Sequence, residues 1–208
     1  MGQSWVIISS ILKILAALIL VGLNAFFVAA EFAFVKVRST RLAQLTAEGN
    51  KRARRAQECA EHLDAYLSVS QLGITLASLG LGWLGEPAVA SLINPLLQGW
   101  GINNPALIHS VSFIAAFSLI TFLHVVFGEL APKTVAIQRA ESLALLLAGP
   151  MHFFYFIFYP GVALLNGAAN KIVLLFGLED DPEHSRGHSE EELRMLISAS
   201  YKEGQIKK

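Results

Sequence analysis

Four long apolar stretches decide what this chain can fold into. Residues 5–35, 66–97, 106–128 and 143–177 are each mostly nonpolar, and about 20 such residues are enough for a helix to cross hydrocarbon. The first stretch is interrupted only by Lys13, Asn24 and Glu31. It is far longer than the roughly 7–15 apolar residues of a cleaved signal peptide, so it reads as a first membrane helix. Only 15% of the 208 residues are charged and 54% are hydrophobic, whereas a soluble domain carries about 25% charged residues. Inside a bilayer the backbone must satisfy its own hydrogen bonds, which leaves helices or closed barrels. The length of these stretches selects helices. The expected fold class is an all-α membrane protein: three transmembrane helices with kinked or broken segments, plus cytoplasmic juxtamembrane helices.

The spans are placed at about 5–35, 66–97 and 106–128. Between the first two lies a basic segment with Lys36, Arg38, Arg41, Lys51, Arg52, Arg54 and Arg55. It reads as a pair of headgroup-facing helices broken near Gly49-Asn50. The second span is rich in glycine, and Glu86-Pro87 and Asn94-Pro95 are expected to break it. The loop 98–105 is uncharged, and Lys133 and Arg139 follow the third span. Positive charge collects on the cytoplasmic side of membrane proteins. That rule puts the N-terminus outside, the basic segment inside, loop 98–105 outside, and Lys133 and Arg139 inside.

The fourth stretch is cut by Gly149-Pro150 and Pro160-Gly161 into pieces shorter than a span. An interfacial or re-entrant helical hairpin over 143–177 is expected, with a kinked fourth crossing as the competing reading. Residues 1–178 then form the transmembrane domain, and 179–208 form an acidic cytoplasmic linker and helix. In that tail Ser189 is a good N-cap, with Glu190, Glu191 and Glu192 in the first turn. The helix reads as the entry to a further domain. Tyr and aromatic residues over 152–159 read as an interface belt. The single cysteine, Cys59, excludes an intramolecular disulfide. Zero formal net charge gives no field for nucleic acid. No phosphate-binding glycine loop, nucleophile elbow or HExxH motif is present, so an enzyme is not expected.

Polar groups within the spans carry the functional reading. Glu129 follows the third span and opens Glu-Leu-Ala-Pro-Lys, residues 129–133. A carboxylate at membrane depth is a functional candidate unless paired, wetted or bound to a cation. Glu31 and Glu86 stand in similar settings. Pro132 has no N–H to give the carbonyl one turn earlier, that of Gly128. A free Gly128 carbonyl beside the Glu129 carboxylate suits a hard cation, which takes oxygen ligands. Asn24 and Glu31 lie nearly on one face of the first span. Ser68, Gln71, Thr75, Ser78 and Gly82 share one face of the second, and Ser118, Thr121, His124 and Gly128 share one face of the third. These stripes fit either an oxygen-lined cation route or interhelical hydrogen bonding. His109 and His124 belong to no cluster at metal spacing. His124 is the better functional candidate because it lies near Glu129.

Three segments carry a family resemblance: Asn-Ala-Phe-Phe-Val-Ala-Ala-Glu-Phe-Ala at 24–33, Leu-Ser-Val-Ser-Gln-Leu-Gly-Ile-Thr-Leu at 67–76, and Phe-Gly-Glu-Leu-Ala-Pro-Lys-Thr-Val-Ala at 127–136. Together they resemble the CorC/cyclin M family, closest to its bacterial hemolysin-like, CorC-type Mg²⁺ efflux proteins. The resemblance covers essentially the whole chain, and the Gly-Glu-x-x-Pro-Lys segment is its most specific part. It implies a three-span homodimeric transmembrane domain ahead of an acidic helical bundle and a nucleotide-binding pair of CBS domains, a pair expected to fall outside these residues. It implies Mg²⁺ as the transported ion, Na⁺ as the coupling ion, and the lipid bilayer as the surroundings. The metal ligands it suggests are Glu129, Gly128, Gln71, Ser68, Asn24, Thr75 and Glu31, supported by Pro132, Lys133 and His124. Many members have serines where this chain has Val28 and Ala30, and an Asn-rich second span where it has Ser70-Gln71. Asn24 and Gln71 would supply replacement oxygens. A Mg²⁺ sensor or regulator of another transporter is the alternative function.

Overall fold

The computed structural model describes residues 2–176, with side chains from residue 10 onward. The expectations for the tail at 179–208 lie outside the described residues. Every regular element among those described is helical: α1 Gly2–Lys36, α2 Ser39–Ala47, α3 Lys51–Glu61, α4 Leu63–Gly99, α5 Pro105–Leu123, α6 Ala131–Gln138 and α7 Ala140–Leu175. A π-helical turn, His124–Leu130, joins α5 to α6, so that Pro105–Gln138 forms one continuous span. Contacts divide the chain into two compact units, Met1–Ala163 and Leu164–Lys208. The second unit is described only over its helical part, the last residues of α7.

Helix boundaries follow local chemistry. Gly49 turns the chain with φ 86°, a value that suits glycine. Asn50 then caps α3, accepting from Arg52 N at 3.0 Å and Ala53 N at 3.3 Å. Gly101 makes the matching turn after α4, with φ 84°. Asn104 caps α5, accepting from Ala106 N at 3.0 Å, with Pro105 at the start of the helix.

Three expectations are corrected. Four helices, not three, are long and apolar enough to cross a membrane: Ser10–Lys36, Leu63–Gly99, Pro105–Gln138 and Ala140–Leu175. The fourth is a single helix, not a hairpin, and runs through Pro150 and Pro160. The second span is likewise unbroken at Pro87 and Pro95. The reason is the same in both. A proline removes one backbone hydrogen bond, whereas a reversal in an apolar medium strands several polar groups at once. In α4 the carbonyls denied a donor are those of Trp83 and Ser91, while Ser91 Oγ makes a local bond to Ala88 O at 2.7 Å.

Small residues let α1 and α4 meet closely. A Cβ on Gly73 would stand 2.5 Å from Cε2 of Phe27, and one on Gly80 would stand 3.2 Å from Cδ1 of Leu20. Gly85 gives the same close approach to Ile120 of α5, where an added Cβ would lie 3.1 Å from Cδ1. The main core joins Phe27, Ala30, Ala33 and Phe34 of α1 to Tyr66 and Val69 of α4, Ala136 of α6, and Ala144, Ala148 and Met151 of α7. Leu42, Ala56 and Cys59 tie the two juxtamembrane helices into it. Outward faces remain apolar, as at Leu79, Trp83 and Phe156, which suits contact with lipid.

Candidate cation site

The π-turn carries the site. Pro132 has no N–H, so the Gly128 carbonyl loses its normal donor one turn ahead. An inserted residue that widens a helix into a π-turn recurs at functional positions, and here the widened turn contains both Gly128 and Glu129. Asn24 of α1 answers the vacancy: its Nδ2 donates to Gly128 O at 2.9 Å. Asn24 is 1% exposed, so this is a buried amide holding a buried carbonyl.

A directed hydrogen-bond chain continues from there. Ser78 Oγ of α4 donates to Asn24 Oδ1 at 3.3 Å and lies 3.1 Å from His124 Nε2. With the Ser78 proton on Asn24, the Nε2–H tautomer of His124 is the donor that completes the chain. The order is His124, Ser78, Asn24, Gly128, and it links three spans. Glycine at position 128 keeps this packing close, since an added Cβ would stand 3.1 Å from both Asn24 Nδ2 and His124 Cδ2 and would press on the hydrogen-bond chain.

The other sequence-derived candidates sit elsewhere. Glu129 is exposed on the π-turn. Lys133, one turn later, places Nζ 4.7 Å over the ring of Phe32, a cation–π contact. Among the described residues the ion pairs are Arg41–Glu141 and Arg54–Glu58, so Lys133 forms no ion pair with Glu129. Gln71 and Thr75 are exposed. Thr75 Oγ1 donates to Gln71 O at 2.8 Å and Ser68 Oγ to Asp64 O at 3.0 Å, so both hydroxyls turn back on their own helix. Glu31 has one carboxylate oxygen, Oε2, buried without a hydrogen-bond partner. Thus Asn24, Gly128 and His124 meet, whereas Ser68, Gln71 and Thr75 do not join them. No group of three or more His, Cys, Asp or Glu side chains gathers among the described residues, so any cation here would rely on mixed oxygens.

Sequence reasoning placed Ser78 on the polar stripe without giving it a role. Its partner face became clear only once α1 and α5 were packed against α4. Ser70 is wholly buried and donates to Tyr66 O at 3.0 Å, a local contact with no reach to the π-turn.

Comparison with known proteins adds independent evidence. A family profile described as "Cyclin M transmembrane N-terminal domain" matches residues 15–208. The chain is similar to UPF0053 protein YhdT of Bacillus subtilis, 56% identical over 188 residues, covering 90% of this chain and 41% of that protein. It is 50% identical to UPF0053 protein YugS of the same organism over 196 residues, covering 94% of this chain and 46% of that protein. It is 38% identical to the uncharacterized protein Rv1841c of Mycobacterium tuberculosis over 191 residues, covering 92% of this chain and 54% of that protein. The chain therefore spans about half the length of the curated relatives it matches.

Proposed function

The chain belongs to the cyclin M transmembrane domain family, and on that premise we propose that it carries Mg²⁺ out of the cell in exchange for Na⁺. Family membership is consistent with a membrane role in divalent-cation transport or its regulation. Four apolar helices and bacterial relatives make it a bacterial membrane protein.

One observation carries the transport reading. The Gly128 carbonyl, denied its α-helical donor by Pro132, directly precedes Glu129 in a π-turn and accepts from the Asn24 amide of α1. In the ion-free state the Asn24 amide nitrogen holds this carbonyl. When Mg²⁺ arrives, half a turn of the Asn24 amide exchanges its donor for its oxygen. Gly128 O, Asn24 Oδ1 and Glu129 then supply hard oxygen ligands, and Glu129 supplies the charge. Mg²⁺ gives up its water reluctantly and keeps near-octahedral geometry, so retained waters complete the shell. Ser68, Gln71, Thr75 and Glu31 line the approach in this mechanism. Na⁺ occupies the same carboxylates on the return. The protein works as a homodimer and carries an ion rather than performing catalysis.

The proposed orientation places the N-terminus outside the inner membrane and segment 179–208 in the cytoplasm. It requires that α7, long and apolar enough to cross, does not carry the chain to the outer side. A cysteine introduced at Ser189 and labelled by an impermeant reagent in intact cells overturns this arrangement.

The decisive test is Mg²⁺ flux in proteoliposomes, with and without an opposing Na⁺ gradient, for wild type and Glu129→Gln. Flux that requires both Na⁺ and Glu129 supports the reading. Binding of Mg²⁺ without flux replaces it with the regulator.

A further inference from the structure

A groove of about 640 Å³ opens where α1 runs into α2 and where α6 passes into α7. Lys36, Arg38, Arg41, Gln44, Gln138 and Glu141 supply its polar lining. Three cations face one carboxylate there. Glu141 is already engaged, with Oε2 3.3 Å from Arg41 Nε, and Arg41 Nη1 donates to Gln44 Oε1 at 2.9 Å. Lys36 and Arg38 form no ion pair among the described residues. Gln44 is committed on both sides, since its Nε2 donates to Glu48 Oε1 at 3.0 Å, so the groove is a basic pocket with the Gln138 amide beside it, suited to an anionic oxygen group such as a phosphate.

Its place in the fold says which phosphate. The candidate spans Ser10–Lys36 and Pro105–Gln138 both end at the groove, and Ala140–Leu175 begins there. The groove therefore sits at headgroup depth. Val35, one residue before Lys36, is exposed, as is Ile137, which itself lines the groove. A free phosphate would leave this apolar wall in water, whereas a lipid would cover it. We propose that the groove binds one anionic phospholipid, its phosphate held by Lys36 and Arg38 and its upper acyl chain laid along Val35 and Ile137. The site is independent of the cation reading, and either can fail without the other.

Neither cation makes an ion pair among the described residues. Arg38 precedes α2 in extended conformation and makes no side-chain cap, so both residues can be exchanged without removing a structural bond. The test titrates the purified full chain in detergent with phosphatidylglycerol or phosphatidylcholine of identical acyl chains and counts bound lipid by native mass spectrometry. One phosphatidylglycerol per chain should persist where phosphatidylcholine has dissociated. Each basic residue at a lipid surface is worth about fivefold, so Lys36→Gln with Arg38→Gln should weaken retention roughly 25-fold. Lys51→Gln with Arg52→Gln, an equal charge loss on α3, should leave it unchanged, as should the charge-preserving pair Lys36→Arg with Arg38→Lys. Equal retention of phosphatidylcholine overturns the proposal. So does an equal loss in the α3 pair, a loss in the charge-preserving pair, or displacement of the lipid by millimolar inorganic phosphate.

Discussion

Replacing Asn24 by leucine keeps the side chain's approximate size and removes both of its polar functions. Two hydrogen bonds go with them, the 2.9 Å bond to Gly128 O and the 3.3 Å bond from Ser78 Oγ. Such bonds between membrane helices average about 0.6 kcal/mol each, which gives about 1.2 kcal/mol for the pair. That is roughly a sevenfold change in the folding equilibrium. The loss is larger if the Gly128 carbonyl finds no substitute, because Pro132 has no N–H to offer. The assay is reversible unfolding in mixed micelles of wild type, Asn24→Leu, Ser78→Ala and the double variant. The cycle should return a coupling of about 0.6 kcal/mol, the share of the Ser78 bond. A single variant within about 0.3 kcal/mol of wild type, with no coupling in the cycle, would refute the hydrogen-bond chain.

Three further outcomes follow from the packing. Pro132→Ala returns an N–H to the Gly128 carbonyl and competes with Asn24, so stability should hold or rise while Mg²⁺ flux falls; flux and unfolding midpoint, measured together, check this. Gly73→Ala drives a methyl into the buried Phe27 ring and should destabilise by about 1–3 kcal/mol, whereas Gly82→Ala, with nothing within 4 Å of its added Cβ, should be neutral or mildly stabilising in the same thermal assay. Burial raises the Cys59 thiol from 9.0 to about 12, against a smaller opposing hydrogen bond from Tyr66. The thiol is therefore favoured in the folded state, and its contribution to stability is complete below pH 9 and lost as pH climbs toward 12. Unfolding followed from pH 8 to 11 should show this slope in wild type and a shallower one in Cys59→Ala, and maleimide should label Cys59 only after denaturation.

Much of this was legible in the sequence because it rests on local chemistry. The apolar stretches gave the first three spans, Gly49-Asn50 gave the break between α2 and α3, and the Gly-Glu-x-x-Pro segment pointed to a disturbed backbone where the π-turn stands. What failed was the treatment of proline as punctuation. Pro87, Pro95, Pro150 and Pro160 all lie inside helices, since an apolar environment penalises a broken helix more than one missing bond. Periodicity also grouped Ser68, Gln71, Thr75 and Ser78 on one face without saying what covers it. The neighbours decided that: α1 and α5 pack on the buried seam of Gly73, Ala77, Leu81 and Gly85. Ser78 ends at the edge of that seam and reaches Asn24, while Gln71 and Thr75 stay exposed.

The central claim is that Mg²⁺ binds at the π-turn through Glu129 and the Gly128 carbonyl. Calorimetric titration of the purified protein with Mg²⁺, wild type beside Glu129→Gln, tests it most directly. The account predicts saturable binding in wild type and its loss in the variant, with the folded state intact. An unchanged isotherm in Glu129→Gln would place the ion elsewhere and contradict it.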